Sequence, residues 1–189
     1  MLNRDLKLMK LRDLFESRNF KRYLILGFAL MVMVLVLQKF FILAVLILTS
    51  LVISYFVGMF QMAKSIGVEL ATFTTILAGF VFGPSTGAVV GLFLVITHLT
   101  VGHFSAGIYV LWVVPIYVAA GILSGTLAGF SFVTLGIYLM LGINVINLAL
   151  TAVTFPQNLG NFLPYAVTNV IFNYILFSQF GPAIYSLIR

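Results

Sequence analysis

Glu69 is the only acidic side chain after residue 16, and His98 and His103 are the only imidazoles in the chain. An acid and two histidines can move protons, hold a metal or hydrogen-bond a ligand. Histidines five apart on an unbroken helix point about 140° away from each other, which suits two ligands of one metal poorly. Zinc would need further ligands, and Glu69 is the one carboxylate nearby. We therefore expect no metal and no cofactor, with His98 and His103 hydrogen-bonding at the mouth of a pocket. Glu69 has two readings. It lies at the start of a helix, where the dipole favours an acid, or it contacts a ligand or pairs with Lys64. Trp112 and Tyr109 read as interfacial anchors, or as faces for a flat ligand ring.

Amides and hydroxyls form the second group. Asn144, Asn147, Thr151 and Thr154 share roughly one face of a helix, as do Tyr165, Asn169 and Asn173 on the next. Buried amides are costly in lipid and must face the protein interior. There they either join helices, at about 0.6–2 kcal/mol per bond, or line a cavity. Asn147, Thr151, Tyr165 and Asn169 fall within about two turns of loop 155–161, which carries Asn158. That depth suits a pocket beneath the loop. Asn144 and Asn173 would lie deeper and read as structural. Small residues recur every four positions in Ser50, Ser54 and Gly58, in Gly79, Gly83, Gly87 and Gly91, and in Gly121, Gly125 and Gly129. Such stripes let helices approach closely, either within the chain or against a partner protein. Spacing alone does not separate these two readings.

The residues give little support for catalysis. No apolar stretch contains an Asp, which excludes a paired-aspartate intramembrane protease. There is no G-x-S-x-G nucleophile elbow and no phosphate-binding loop. The chain reads as a non-enzyme with no catalytic residue, and any ATP must be hydrolysed by a partner.

These residues sit in a chain of 189, of which 62% are hydrophobic and 7% charged. A soluble domain carries about 25% charged residues, so an all-α integral membrane protein is expected. From Leu70 to Ile188 there is no Asp, Glu, Lys or Arg, which argues against nucleic-acid binding. The absence of cysteine excludes disulfides and thiolate sites. Residues 1–22 are basic and read as a cytoplasmic or membrane-surface segment. Residues 23–189 read as one transmembrane bundle in the cell membrane. Tyr23–Leu37 is apolar but short, and Gln38-Lys39 interrupts it. Six helices follow, over 40–60, 68–82, 84–101, 107–129, 131–153 and 162–180, with Pro84 at a first helical position and Gly181-Pro182 closing the last. If they alternate in direction, loops 61–67, 102–106 and 155–161 share one side. That side collects Lys64, Glu69, His98, His103, Gln157, Asn158 and Asn161, which suggests a pocket opening there.

The run ELATFTTILAGFVFGPSTGAVVGLF, residues 69–93, resembles the second-to-third helix region of the substrate-binding S components of energy-coupling-factor (ECF) transporters. Ala78, Gly79, Phe82, Gly83, Pro84, Gly87 and Gly91 stand at the positions of their turn motif. The resemblance extends over about residues 40–188. It implies a six-helix transmembrane bundle, here with an extra basic N-terminal helix and a short apolar segment. It also implies a vitamin or other small-molecule ligand held at the extracellular mouth, and release driven by a transmembrane scaffold subunit and two ATPase subunits. The candidate ligand contacts are Glu69, His98, His103, Trp112, Asn147, Thr151, Asn158, Tyr165 and Asn169. The candidate docking positions are Ser50, Ser54, Gly58, Gly121, Gly125 and Gly129. The chain departs from the family in its brief first loop and in the segment before residue 40. If that segment and 40–60 both span from a cytoplasmic N-terminus, the polar mouth falls inside. The alternative is a non-transport membrane scaffold resembling MreD-type cell-shape proteins.

Overall fold

The computed structural model describes residues 18–60, 65–101 and 107–188. Most of the basic segment, Lys64 and His103 lie outside the described residues. Among the described residues every regular element is helical, in the order α1 (Arg18–Met59), α2 (Ala71–Phe82), α3 (Pro84–Val101), α4 (Val110–Thr126), α5 (Phe132–Thr154), α6 (Leu159–Ile175) and α7 (Gly181–Ile188). Short 3-10 turns, Gly107–Tyr109 and Pro156–Asn158, precede α4 and α6, and a π turn, Leu176–Phe180, joins α6 to α7. Among the described residues five helical segments are long and apolar enough to cross a membrane, consistent with a multi-pass membrane protein.

The chain divides into two units, Met1–Phe40 and Phe41–Arg189. The described part of the first is helical, with Tyr23, Leu26 and Phe28 exposed. The helix α1 continues through Gln38-Lys39, where the sequence suggests an interruption. Both residues favour helix, so they change the polarity of the surface without ending the element.

In the second unit, α2 is the innermost element. All residues from Ala71 to Gly79 are buried. At 12 residues and about 1.5 Å per residue it is roughly 18 Å long, too short to span alone. It starts at Ala71 rather than Val68, because residues 67–70 are not helical. Ala71 and Ala78 face a core with Leu94, Val95, Leu99, Val113 and Tyr117. Phe73, Ile76 and Leu77 face a second core with Phe132, Met140, Phe177 and Ile188. A helix without a single charged side chain, its polar groups limited to Thr72, Thr74 and Thr75, suits such a central place.

The turn from α2 to α3 is the one the sequence marks. Gly83 has φ +95°, a conformation glycine adopts without a Cβ clash. Its N–H donates to Gly79 O at 2.9 Å, and Pro84 opens α3, where its missing N–H is not needed. The return places α3 against α2 and α4. A Cβ on Gly79 would meet Ser124 Oγ and Gly121 O, one on Gly87 would meet Gly121 O, and one on Gly125 would meet Pro84 N. Gly121 and Gly125 are thus occupied by contacts inside the chain. At Gly129 an added Cβ would have nothing within 4 Å, and this residue lies in the exposed turn before α5. Ser50, Ser54 and Gly58 are buried, and Ser54 is hydrogen-bonded within the chain. Of the six docking positions, Gly129 alone lies on an exposed surface.

At the other end of the chain Gly181-Pro182 does not close the last helix. The Gly181 N–H donates to Leu176 O, a π-type bond, and such a wide turn absorbs the proline that follows. The chain then continues as α7, whose Tyr185 packs on Phe132 at 5.5 Å and Phe80 at 5.3 Å between ring centroids.

Gly121→Ala should separate the α3–α4 pair, because the added methyl meets the Gly87 carbonyl carbon and oxygen, which are backbone and cannot swing aside. We expect a loss of at least about 2 kcal/mol, read as a lowered unfolding midpoint in mild detergent. Gly129→Ala should leave that midpoint unchanged.

Candidate functional site

The non-helical backbone at 67–70 requires partners of its own, since irregular backbone in an apolar setting must be satisfied by protein. It finds them on α6. The Gly67 N–H donates to Thr168 Oγ1 at 2.7 Å, and Asn169 Nδ2 donates to Gly67 O at 3.0 Å. A Cβ at Gly67 would overlap Asn169 and the Tyr165 carbonyl. Glu69 follows, only 1% exposed. Its Oε2 accepts the Thr72 N–H at 2.9 Å, one of the first-turn donors that α2 cannot satisfy itself. Its Oε1 accepts from Asn169 Nδ2 at 3.1 Å and Asn173 Nδ2 at 3.4 Å. These three contacts, from α2 and α6, all bring donors to the carboxylate, as a buried acid needs. Asn144 Nδ2 then donates to Asn169 Oδ1 at 2.9 Å, carrying the network to α5.

Beside this network α3, α4, α5 and α6 enclose a cavity of about 570 Å³. His98, Val95 and Leu99 form one wall, and Tyr109, Val113 and Tyr117 another. Asn144, Asn147 and Thr151 come from α5, and Asn161, Phe162, Tyr165 and Asn169 from α6. Phe155 and Asn158 line it at the loop end. His98 is held by Ser54 on α1, with Oγ and Nδ1 2.9 Å apart. Tyr117 OH lies 3.0 Å from Thr72 Oγ1, which ties α4 to the centre of the bundle. Aromatic rings gather toward the loop end. Tyr109 meets Trp112 edge-on at 5.1 Å and Phe162 at 6.2 Å, and Phe162 stacks on Tyr165 at 5.8 Å.

Of the expected ligand contacts, His98, Asn147, Thr151, Asn158, Tyr165 and Asn169 come together on this cavity. Glu69 stands one residue back, behind Asn169. Trp112 packs against Tyr109 and Phe155 rather than lining the space itself. Asn144, which reads from sequence as structural, is part of the wall. Tyr117, Phe155 and Phe162 escape a sequence reading, because an aromatic residue in an apolar run carries no periodic signal that separates wall from core. Asn147 Oδ1 and Thr151 Oγ1 have no hydrogen-bond partner among the described residues. Among those residues no group of three His, Cys, Asp or Glu could hold a metal.

The wall is therefore rich in amides and aromatic rings. A scan against protein-family models gives no match, and searches of curated proteins and of solved structures return none similar to this chain.

Glu69→Ala should leave Asn169, Asn173 and the Thr72 N–H without their shared acceptor. We expect a loss of at least about 2 kcal/mol, measured as detergent-solubilised unfolding. Glu69→Gln keeps one acceptor oxygen and should lose less.

Proposed function

We propose that this chain is the membrane-embedded substrate-binding subunit of an ATP-driven micronutrient uptake transporter, similar to the S components of ECF transporters. The observation that carries the reading is the cavity itself. It is large enough for a small molecule, and its polar groups converge from four helices at one end of the bundle. The wall residues described include His98 but no Asp, Glu, Lys or Arg, so the chain lacks there the carboxylates that ion-coupled carriers commonly use. Energy then comes from partners, a transmembrane scaffold and two ATPase subunits.

In this arrangement six helices form the transmembrane bundle, the basic N-terminus is cytoplasmic, and the cavity opens to the outside. Only one crossing then precedes residue 61, made by the part of α1 from residue 40 onward, and the part of α1 before residue 40 does not cross. The protein lies in the cell membrane as a multi-pass subunit. The exposed apolar surface of its helices meets lipid and the scaffold.

The cysteine-free chain makes sidedness direct to measure. Asn158 is exposed and lies on the cavity rim, so an Asn158→Cys variant should react with a membrane-impermeant maleimide in intact cells. Labelling only after permeabilisation would place the cavity in the cytoplasm and defeat an uptake role. Affinity purification from the native membrane should also recover one membrane scaffold with two ATPases, and their absence would count equally against the reading.

A further inference from the structure

The hydrogen bonds at the inner wall determine which atom a ligand meets there. The Gly67 and Met140 carbonyl oxygens can only accept, and so can an ionised Glu69. Asn169 approaches Gly67 O at 3.0 Å and Glu69 Oε1 at 3.1 Å, so its nitrogen must face them and its oxygen must face Asn144. Asn144 approaches that oxygen at 2.9 Å and Met140 O at 3.0 Å, so its nitrogen faces both. An amide nitrogen carries two hydrogens, and in each residue both are engaged. Turning either amide over would set oxygen against oxygen. These fixed acceptors, and not the optimisation that ordinarily decides amide orientation, assign the atoms. The group of Asn144 left over is Oδ1, an acceptor on a residue of the cavity wall.

The rest of the wall narrows the chemistry. The described wall residues include no Lys or Arg to receive a carboxylate or phosphate, and Glu69 behind Asn169 adds negative charge nearby. Phe162 and Tyr165, stacked with a 27° tilt, and Tyr109 offer ring faces. We propose that the cavity takes an uncharged, planar heterocycle that donates a ring N–H to Asn144 Oδ1. This rests on the reading of the cavity as a ligand site. It deepens that reading by making Asn144 the residue that selects the ligand. A molecule lacking the donor would bury Asn144 Oδ1 without a partner, the costly case for a polar atom.

Three probes of matched size test this: 2-quinolinone, which has the N–H; 1-methyl-2-quinolinone, which lacks it; and quinoline-2-carboxylate, which is charged. Binding is measured by equilibrium dialysis against the full chain in lipid nanodiscs, with empty nanodiscs subtracted. The wild-type protein should bind 2-quinolinone at least about tenfold more tightly than either of the others. In Asn144→Leu that preference over the methylated probe should vanish, with the variant's fold checked separately by its unfolding midpoint in mild detergent. Equal binding of the first two probes by the wild type overturns the proposal. So does a preference for the carboxylate, or no binding of 2-quinolinone. The wild-type ratio decides even if the variant fails to fold. Maleimide labelling at residue 158 needs no ligand, so the uptake reading and this one can fail independently.

Discussion

The burial of one carboxylate governs much of this structure. Glu69 sits where the chain enters its most buried helix through backbone that is not helical. Without donors it would be intolerable there, and without it three donors would lack an acceptor. The solution is reciprocal. Thr72 offers a first-turn N–H, Asn169 and Asn173 offer amides one helical turn apart on α6, and Asn169 also satisfies the Gly67 carbonyl. The same knot fixes the start of α2, the rotation of α6 about its axis and, through Asn144, the face that α5 turns inward. Three helices are thus set by hydrogen bonds that cannot be exchanged for water in an apolar surrounding.

Packing at the opposite end of the same helices follows a different rule. Around the Gly83-Pro84 turn, Gly79, Gly87, Gly121 and Gly125 remove side chains where backbones meet. Moving away from that turn along α3 and α4, the facing residues grow, through Gly91 opposite the Tyr117 carbonyl to His98 and Val113. Close contact at one end and bulky residues at the other leave space between the helices. The cavity is a consequence of that gradient in side-chain size, closed on its remaining sides by the amides of α5 and α6.

Some of this is legible in the sequence. Gly83-Pro84 punctuates the chain unambiguously, because a positive φ and a first-turn proline are local requirements. The amide faces of α5 and α6 follow from helical spacing, and so does their meeting near loop 155–161. Other features depend on contacts that spacing does not contain. Gln38-Lys39 suggests a break from polarity alone, although neither residue disfavours helix. Gly181-Pro182 suggests an end, although a π turn accommodates both. The glycines at 121 and 125 offer the same signal whether they meet a partner or α3. Counting depth along one helix makes Asn144 structural, which its bonds to Met140 and Asn169 agree with, but does not show that it also lines the cavity.

An amide wall anchored on a carboxylate behind it has a functional logic that a charged wall would not. A charge on the wall would attract a charged ligand, but in low dielectric that pair would also resist separation. Here the charge is already satisfied by protein donors, one residue removed from the space, and its effect reaches the cavity as fixed amide polarity. In the proposed site, discrimination then depends on whether a ligand satisfies an acceptor that is already oriented. A site built this way rejects a molecule lacking the donor more strongly than it gains from one that has it. In the proposed binding subunit, that asymmetry would combine selectivity with modest affinity.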